Sequence, residues 1–372
     1  MTKKILIVFG TRPEAIKMAP LVKAFKNQEG FETRVCVTGQ HREMLDQVLH
    51  FFDIKPDYDL NLMVSNQTLY SLTSLIITEM KAVLEDFGPD YVFVHGDTTT
   101  TMAASIASFY HGSKICHIEA GLRTHDLYAP FPEEANRKIT SAICSYHFAP
   151  TTTSEQNLLR EGVLPESIVI TGNTVIDALL ESVALIDSNS YPEIESLKTE
   201  FGGVQNMILV TGHRRENHGQ GFLNICEALK EIALNNPSYT IVYPVHLNPN
   251  VRKPVFDILE GISNIRLIEP QAYPAFVWLM NQSKIIITDS GGVQEEAPSL
   301  GKPVLVMRDT TERPEAVEAG TVLLVGSEKA EIVKQTQNLI DHPDLYLKMS
   351  LLHNPYGDGK AIEKILNFIK KL

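Results

Sequence analysis

Short runs of β-branched and aliphatic residues alternate along this chain with longer stretches whose apolar residues recur at helical spacing. In the first half the runs are Ile5–Phe9, Arg34–Thr38, Tyr91–His95 and Lys114–Ile118. The helical stretches after the first three runs are Glu14–Lys26, Arg42–Phe52 and Thr98–Tyr110. Short buried strands separated by helices are typical of a parallel sheet with helices on both faces. The alternation therefore predicts an α/β fold.

The second half repeats this order with the runs Met207–Thr211, Thr240–Val245, Lys284–Thr288 and Pro303–Met307. The loops after the first run of each half are also alike, Gly10-Thr-Arg-Pro-Glu14 and Gly212-His-Arg-Arg-Glu216. We therefore expect two Rossmann-like domains in tandem, residues 1–186 and 187–358, with parallel sheets that face a cleft. Residues 359–372 are predicted to form an amphipathic helix that docks on one of the two domains, and the first domain is the one expected.

Composition excludes several classes of partner. The chain has 372 residues and a net charge of −12. It therefore lacks the positive electrostatic potential that attracts nucleic acids or anionic lipids. No apolar run approaches the ~20 residues of a membrane helix, and the five apolar residues after the first lysines are too few for a signal peptide. The four cysteines form no CxxC pair, which favours incidental thiols in a reducing compartment over a metal site. We expect a cytoplasmic protein without metal.

Ligands of open α/β sheets bind outside the carboxyl ends of the strands. The residues that follow the predicted strands are therefore the candidates for function. They are Gly10–Arg12, Gln40–His41, Gly96–Thr101, Glu119–Arg123, Gly212–Glu216, His246–Asn248, Asp289–Gly292 and Arg308–Arg313.

The segment Thr288-Asp-Ser-Gly-Gly-Val-Gln-Glu-Glu-Ala297 ends a strand and begins a helix. Two glycines allow a ligand close to the backbone, and the N–H groups of a first helical turn bind anions. Ser290 can cap the helix and donate to a phosphate. Glu296 lies about one turn on, where its carboxylate would accept the hydroxyls of a ribose. The alternative is a capped helix with surface acids.

Two further places can grip a diphosphate. Arg12 and Lys17 flank a helix start that Pro13 favours, and Arg313 is a similar candidate in the second half. The alternative is a solvated helix face.

Three carboxylates follow strands or helix starts of the first half: Asp97, Glu119 and Glu133, the last beside Glu134. Clustered carboxylates push their pKa values apart, which provides both an acid and a base. Helix capping by Asp97 and favourable dipole contacts of Glu133 are the structural alternatives. His213 adds a candidate from the second half, unless it is a loop histidine without a task. The motifs of P-loop, zincin, α/β-hydrolase and nicotinamide enzymes are absent from the sequence.

Taken together, eight segments resemble the non-hydrolysing UDP-N-acetylglucosamine 2-epimerases of bacteria. They are Phe9–Pro20, His95–Thr101, Ile118–Arg123, Pro132–Arg137, Thr211–Glu216, Thr288–Pro298, Arg308–Glu315 and His353–Gly359. The resemblance spans nearly the whole chain. It implies a glycosyltransferase-B-like fold, a homodimer and no cofactor.

The resemblance also implies roles for individual residues. It assigns catalysis to Asp97, Glu119, Glu133 and His213. It assigns contacts with the nucleotide sugar to Arg12, Lys17, Gln271, Phe276, Ser290, Gly291, Gly292, Glu296 and Arg313. Some relatives are activated by a second UDP-N-acetylglucosamine, and here Gln40, His41, Arg214 and His246 match that regulatory site.

The implied reaction interconverts UDP-N-acetylglucosamine and UDP-N-acetylmannosamine for surface polysaccharides. UDP is eliminated, 2-acetamidoglucal forms, and UDP adds back. A glycosyltransferase of the same fold, a hydrolysing epimerase and a non-catalytic nucleotide-sugar sensor are the alternatives. The sequence leaves open which carboxylate is the base, which is the acid, and whether a second nucleotide sugar activates the enzyme.

Overall fold

The computed structural model describes residues 2–39, 42–62 and 67–372. They form two parallel sheets, of seven and six strands, and divide into two compact units. The first unit extends to Leu180 and also includes Gly357–Leu372, and the second is Glu181–Tyr356. The division falls inside a helix, earlier in the chain than the limit expected at residue 186.

The sheet of the first unit has the strand order β3-β2-β1-β4-β5-β6-β7. Its strands are β1 (Lys3–Phe9), β2 (Phe31–Val37), β3 (Tyr58–Asp59), β4 (Tyr91–His95), β5 (Lys114–Ile118), β6 (Tyr146–Ala149) and β7 (Ile168–Ile170). The helices that begin in this unit, together with the last helix of the chain, are α1 (Arg12–Lys26), α2 (Arg42–Phe51), α3 (Leu69–Phe87), α4 (Thr99–His111), α5 (Glu133–Ile143), α6 (Thr152–Arg160), α7 (Thr174–Ser188) and α16 (Ala361–Lys371).

The sheet of the second unit has the order β10-β9-β8-β11-β12-β13. Its strands are β8 (Met207–Thr211), β9 (Thr240–Pro244), β10 (Ile265–Ile268), β11 (Ile285–Thr288), β12 (Val304–Val306) and β13 (Val322–Leu324). Its helices are α8 (Pro192–Phe201), α9 (Gln220–Asn235), α10 (Pro249–Leu259), α11 (Tyr273–Gln282), α12 (Gly291–Glu296), α13 (Pro314–Glu318), α14 (Lys329–Asp341) and α15 (Pro343–Ser350). Short 3-10 turns cover Pro165–Ser167 in the first unit and Arg215–Asn217 and Ala297–Leu300 in the second.

In each sheet the order in which the chain adds strands reverses at one place. In the first unit the chain moves outward from β1 to β3 and then returns to add β4 on the other side of β1, and the second unit does the same around β8 and β11. Such switch points leave a crevice at the carboxyl ends of the two central strands, where ligands bind. A ligand site is therefore expected at the loops after β1 and β4 and at those after β8 and β11.

The last helix belongs to the first unit. The carboxylate of Asp177 in α7 accepts the backbone N–H groups of Ala361 and Ile362 at 3.2 and 3.0 Å, which caps the start of α16. Lys3 donates to the carbonyl of Ile369 at 2.7 Å near its end. The apolar face carried by Ile365 and Ile369 is fully buried.

The α/β architecture predicted from the alternation is confirmed. Strands β4, β5 and β8 coincide with the predicted runs, and the others among those predicted shift by one to three residues at an end. The sequence reasoning did not single out β3, β6, β7, β10 or β13. No helix among the described residues is long and apolar enough to cross a membrane.

Candidate active site

The switch point of the first unit is built around Glu14. This carboxylate is almost completely buried. One of its oxygens accepts the N–H groups of Gly10 and Thr11 at 2.9 and 2.7 Å, and the other accepts the hydroxyls of Thr98 and Thr101 at 2.6 and 3.2 Å. Burial raises the pKa of Glu14, while these hydrogen bonds oppose the shift. Glu14 thus ties the loop after β1 to the start of α4.

Gly10 shows why the loop after β1 begins with glycine. A Cβ atom at this position would collide with the hydroxyls of Thr38 and Thr100, which bond each other at 3.0 Å. Only a residue without a side chain fits there. Arg12 begins α1 two residues further on and is half-buried.

Glu119 follows β5 in the left-handed region, with φ of 62°. This conformation is uncommon for a residue other than glycine and is frequent at functional sites. Its Oε2 forms an ion pair with Lys17 and accepts a hydrogen bond from the Nδ2 of Asn173 at 2.8 Å. The predicted diphosphate grip and a predicted catalytic carboxylate are therefore neighbours.

His95 ends β4 beside this pair. Its Nε2 lies 3.7 Å from Oε2 of Glu119 and makes no hydrogen bond with the described residues. Burial lowers the pKa of His95 to about 4, against the opposing pull of the negative charges of Glu119 and Asp97. A neutral imidazole thus lies close to both carboxylates.

Asp97 lies in the loop after β4 and contacts α5. Its carboxylate pairs with the guanidinium of Arg137, and its backbone carbonyl accepts the Nδ2 of Asn136 at 2.9 Å. The helix cap that was the structural alternative for Asp97 is supplied by Thr98, whose hydroxyl accepts the N–H of Thr101 at 3.1 Å.

The adjacent acids Glu133 and Glu134 have different surroundings. Glu134 is fully buried and accepts the N–H groups of Thr124 and His125, both at 3.2 Å, and the guanidinium of Arg137 at 2.9 Å. Glu133 begins α5, and its buried Oε2 has no hydrogen-bond partner among the described residues. Glu134 therefore holds the preceding loop.

In the second unit, α12 begins at the predicted place. Ser290 occupies the N-cap position, yet its hydroxyl makes no capping hydrogen bond. A Cβ atom on Gly292 would lie 3.9 Å from the Ser290 hydroxyl and 3.8 Å from Oε2 of Glu296. The two side chains thus flank the glycine backbone, with Gly291 beside it.

Glu296 is held by the neighbouring helix. The hydroxyl of Tyr273, in the first turn of α11, donates to Oε1 of Glu296 at 3.2 Å. Phe276 is half-buried on the same helix. Gln271 lies just before α11, and its side-chain amide donates to the carbonyl of Glu269 at 2.6 Å. These predicted substrate contacts therefore gather around the start of α11.

Arg313 forms an ion pair with Glu295, whose side chain is 1% exposed. This buried carboxylate orients the guanidinium, and the sequence reasoning had not selected it. A second pair joins Arg214 to Glu312 at 3.5 Å, and Glu312 also lies 3.6 Å from Arg308. Nearby arginines outweigh burial and lower the pKa of Glu312.

His213 follows β8 and is half-exposed. Its ring stacks on that of His246, with centroids 5.0 Å apart. The backbone N–H of His213 donates to Oδ2 of Asp289 at 2.8 Å. Burial, and after it the interaction with the neighbouring His213, lower the pKa of His246. Arg214 and His246 remain predicted regulatory residues, and the other two, Gln40 and His41, lie outside the described residues.

No group of three or more potential metal ligands occurs among the described residues.

A sequence model described as UDP-N-acetylglucosamine 2-epimerase matches residues 23–370. The chain belongs to the UDP-N-acetylglucosamine 2-epimerase family. It is therefore an epimerase, an enzyme of the isomerase class, and the family predicted from the motifs is confirmed.

Relatives agree over the full length. The UDP-N-acetylglucosamine 2-epimerase of Campylobacter jejuni is 60% identical, with 100% of this chain and 98% of the relative covered. The enzyme of Escherichia coli K12 is 58% identical, with 99% of this chain and 98% of the relative covered. The crystal structure of the Neisseria meningitidis enzyme bound to UDP-N-acetylglucosamine matches with a TM-score of 0.88. Its sequence is 54% identical, and the match covers 99% of this chain and 100% of that one. The predicted glycosyltransferase-B-like class is the fold of this epimerase family.

Sequence reasoning assigned no role to the residues that hold the others, although Asp289 lies in a candidate loop. Glu14, Asn173, Tyr273, Asp289 and Glu295 each bind a predicted site residue or its loop. Three of them lie inside the quoted motifs, which is a usable signal. Asn173 and Tyr273 lie outside those motifs, and their partners are distant in sequence.

Proposed function

We propose that the chain interconverts UDP-N-acetylglucosamine and UDP-N-acetylmannosamine at C2. The full-length relatives named for this substrate support the proposal, as does the Neisseria meningitidis enzyme bound to it. The observation that carries the chemistry is the grouping of acids around His95. Glu119 lies within 3.7 Å of it, and the charge of Asp97 also acts on it.

The proposed reaction is an anti elimination followed by readdition. A base removes the C2 proton, the C–H electron pair forms the C1–C2 double bond, and UDP departs with the electrons of the C1–O bond. The product is 2-acetamidoglucal with UDP still bound. An acid then protonates C2 from the opposite face while a phosphate oxygen of UDP reattacks C1. The cycle needs two proton-transfer groups and consumes no co-reactant.

The first unit supplies carboxylates suited to both proton transfers. Asp97 is paired with Arg137 and Glu119 with Lys17, and each cation orients the carboxylate that it contacts. Glu133 has a buried oxygen without a hydrogen-bond partner among the described residues, which suits a carboxyl group that gains and loses a proton. His213 of the second unit is proposed to assist the departure of UDP.

UDP binding is proposed for the second unit. The backbone at Gly291 and Gly292 and the hydroxyl of Ser290 would bind a phosphate, as helix starts do. Glu296 would accept the ribose hydroxyls, since Tyr273 fixes one of its oxygens. Arg313 would stabilise the charge that builds on the leaving diphosphate. A contact of Arg12 with the nucleotide sugar is proposed from the family motif. Gln271 and Phe276 would complete the contacts.

The remaining proposals follow from the family. They are a homodimer, a cytoplasmic location, a supply of product to surface polysaccharides, and activation by a second UDP-N-acetylglucosamine. The aromatic side chains of Tyr70, Phe109 and Tyr110 on α3 and α4 are mostly exposed, which is typical of a protein interface. Light scattering should give twice the mass of one chain.

Deuterium labelling tests the reaction. The enzyme is incubated in D₂O with UDP-N-acetylglucosamine alone, and NMR follows C2 of both epimers. We expect UDP-N-acetylmannosamine with deuterium at C2 and, at equilibrium, label in both. Product that keeps protium at C2 after many turnovers would rule out the elimination. Free sugar would indicate a hydrolysing epimerase. The absence of turnover would indicate a transferase or a sensor.

A further inference from the structure

Asp289 is a fully buried carboxylate at the switch point of the second unit, directly after β11. Its Oδ2 accepts the N–H groups of two consecutive residues of the loop after β8, His213 and Arg214, both at 2.8 Å. The next residue, Ser290, begins the helix proposed to bind UDP. The carboxylate of Asp289 therefore joins the loop after β8 to the start of that helix.

The other oxygen of Asp289 is unsatisfied. Oδ1 is buried and accepts no hydrogen bond from the described residues, and it lies 3.8 Å from Nδ1 of His213. A buried carboxylate oxygen without a donor is costly, so it strongly favours any donor brought to it. A small rotation of the half-exposed imidazole would bring Nδ1 within hydrogen-bond distance.

The other charged groups around the imidazole lie on three elements of the same unit. His246, after β9, stacks on it face to face. Arg214 follows it in its own loop, and the Arg214 guanidinium is paired with Glu312, after β12. A stacked ring offers no acceptor to Nδ1. Among these groups, Asp289 is the acceptor directed at this nitrogen.

We propose that Asp289 is a positioning residue for His213: it fixes the histidine backbone with one oxygen and accepts Nδ1–H with the other. A neutral imidazole held in this way carries its proton on Nδ1 and presents a basic Nε2 to the substrate. The inference rests on the proposed function for the use of Nε2, but the placement of the proton does not depend on it.

The first unit uses a comparable device. Glu14 also accepts two consecutive N–H groups of the loop after the first strand, those of Gly10 and Thr11, and bonds across to the loop after β4. In both units a buried carboxylate thus joins the two loops of the switch point. In the second unit the carboxylate comes from the opposite loop and has an oxygen left for a side chain.

The tautomer of His213 tests the proposal directly. We would label the chain with ¹⁵N histidine, assign His213 by its loss in His213→Gln, and record imidazole nitrogen shifts with UDP present. The neutral ring of the unmodified chain should carry its proton on Nδ1. In Asp289→Asn, the amide N–H₂ facing the ring should donate to Nδ1 and move the proton to Nε2. A proton on Nε2 in the unmodified chain would overturn the proposal, even if Asp289→Asn failed to fold.

Kinetics distinguish positioning from a merely structural role. Asp289→Asn should lower kcat by roughly 10²-fold, with KM changed less than threefold. In the His213→Gln background the same substitution should change kcat less than twofold, since residues that act through one another are not additive. Equal losses in both backgrounds would contradict the proposal. Asp257→Asn, an exposed carboxylate paired with Lys253 in α10, is the control. If the unmodified chain does not epimerise, the proposed function fails while the tautomer measurement still decides this inference.

Discussion

Lys17 and Glu119 form an ion pair between the second turn of α1 and the loop after β5, with side chains 14% and 8% exposed. The sequence suggested separate tasks for them, one in binding the diphosphate and one in proton transfer. Because the pair is largely buried, changing either residue affects the other. The same coupling applies to Arg313 and Glu295 in the second unit.

Lys17→Met should slow the chemical step more than it weakens UDP binding. The variant leaves the Glu119 carboxylate largely buried without its cation, which is strongly destabilising for that charge. We expect kcat to fall by roughly 10²-fold, measured beside the Kd of UDP by calorimetry. Lys26→Met, on the same helix and paired with Asp57 at the surface, should be nearly silent. A larger loss in UDP affinity than in kcat would show that Lys17 mainly holds the diphosphate.

Glu133→Gln and Glu134→Gln should separate activity from stability. Glu134→Gln weakens bonds to two backbone N–H groups and to Arg137, so the free energy of unfolding should drop by about 2–4 kcal/mol. Glu133→Gln should keep stability within about 1 kcal/mol and lose activity by about 10²–10⁴-fold. Urea unfolding and initial rates measure both. The assignment of Glu133 fails if its variant stays within a fewfold of the unmodified rate.

Arg313→Met should destabilise the second unit by about 3–5 kcal/mol, because Glu295 remains buried without its cation. Adding Glu295→Gln should restore much of this stability. We expect the double variant to remain poor at retaining UDP, and NMR should detect released UDP and 2-acetamidoglucal. Recovery of both stability and retention would mean that Arg313 has only a structural role.

Glu296→Ala should raise KM for UDP-N-acetylglucosamine more than it lowers kcat, since a ribose contact is the same in the ground and transition states. Tyr273→Phe removes the hydroxyl that donates to Glu296 and should shift KM in the same direction by less. Glu318→Gln, an exposed carboxylate of the same unit, is the control. Normal KM with a collapsed kcat would contradict the ribose contact.

Three buried histidines should make the first unit sensitive to acid. Burial lowers the pKa of His95 to about 4, of His117 to about 3 and of His147 to about 4, against about 6.5 in the unfolded chain. The unfolded state therefore binds more protons between these values. The stability they contribute is complete above about pH 6.5 and declines toward pH 4, by up to about 1.4 kcal/mol per pH unit for each histidine.

Asp177 has the opposite effect on the pH dependence of stability, because burial raises its pKa to about 6. Substitution of one histidine therefore isolates the histidine contribution better than the pH profile of the unmodified chain. His117→Gln keeps a donor for the carbonyl of Gly96 and cannot be protonated. Urea unfolding from pH 5 to 8 should show a shallower pH dependence than in the unmodified chain. An equal slope would mean that His117 does not contribute.

The sequence by itself determined the fold class, the family and the loops to inspect. Strand and helix periods are local properties, and a parallel sheet places the ends of its strands at one edge whatever the details of packing. The runs at Tyr91–His95, Lys114–Ile118 and Met207–Thr211 coincide with strands for that reason. The motifs identified the family, and the roles that they imply for Asp97, Glu119 and Glu133 are predictions.

Only the tertiary structure decided which charges are neighbours. Lys17 meets Glu119, and Arg137 meets Asp97, because strands and helices far apart in sequence come together at one edge of a sheet. The supporting Asp289 could not be distinguished from an ordinary loop acid, since its burial and its two N–H partners arise from packing. Distances of a few ångströms set these electrostatic interactions, and the sequence pattern does not specify them.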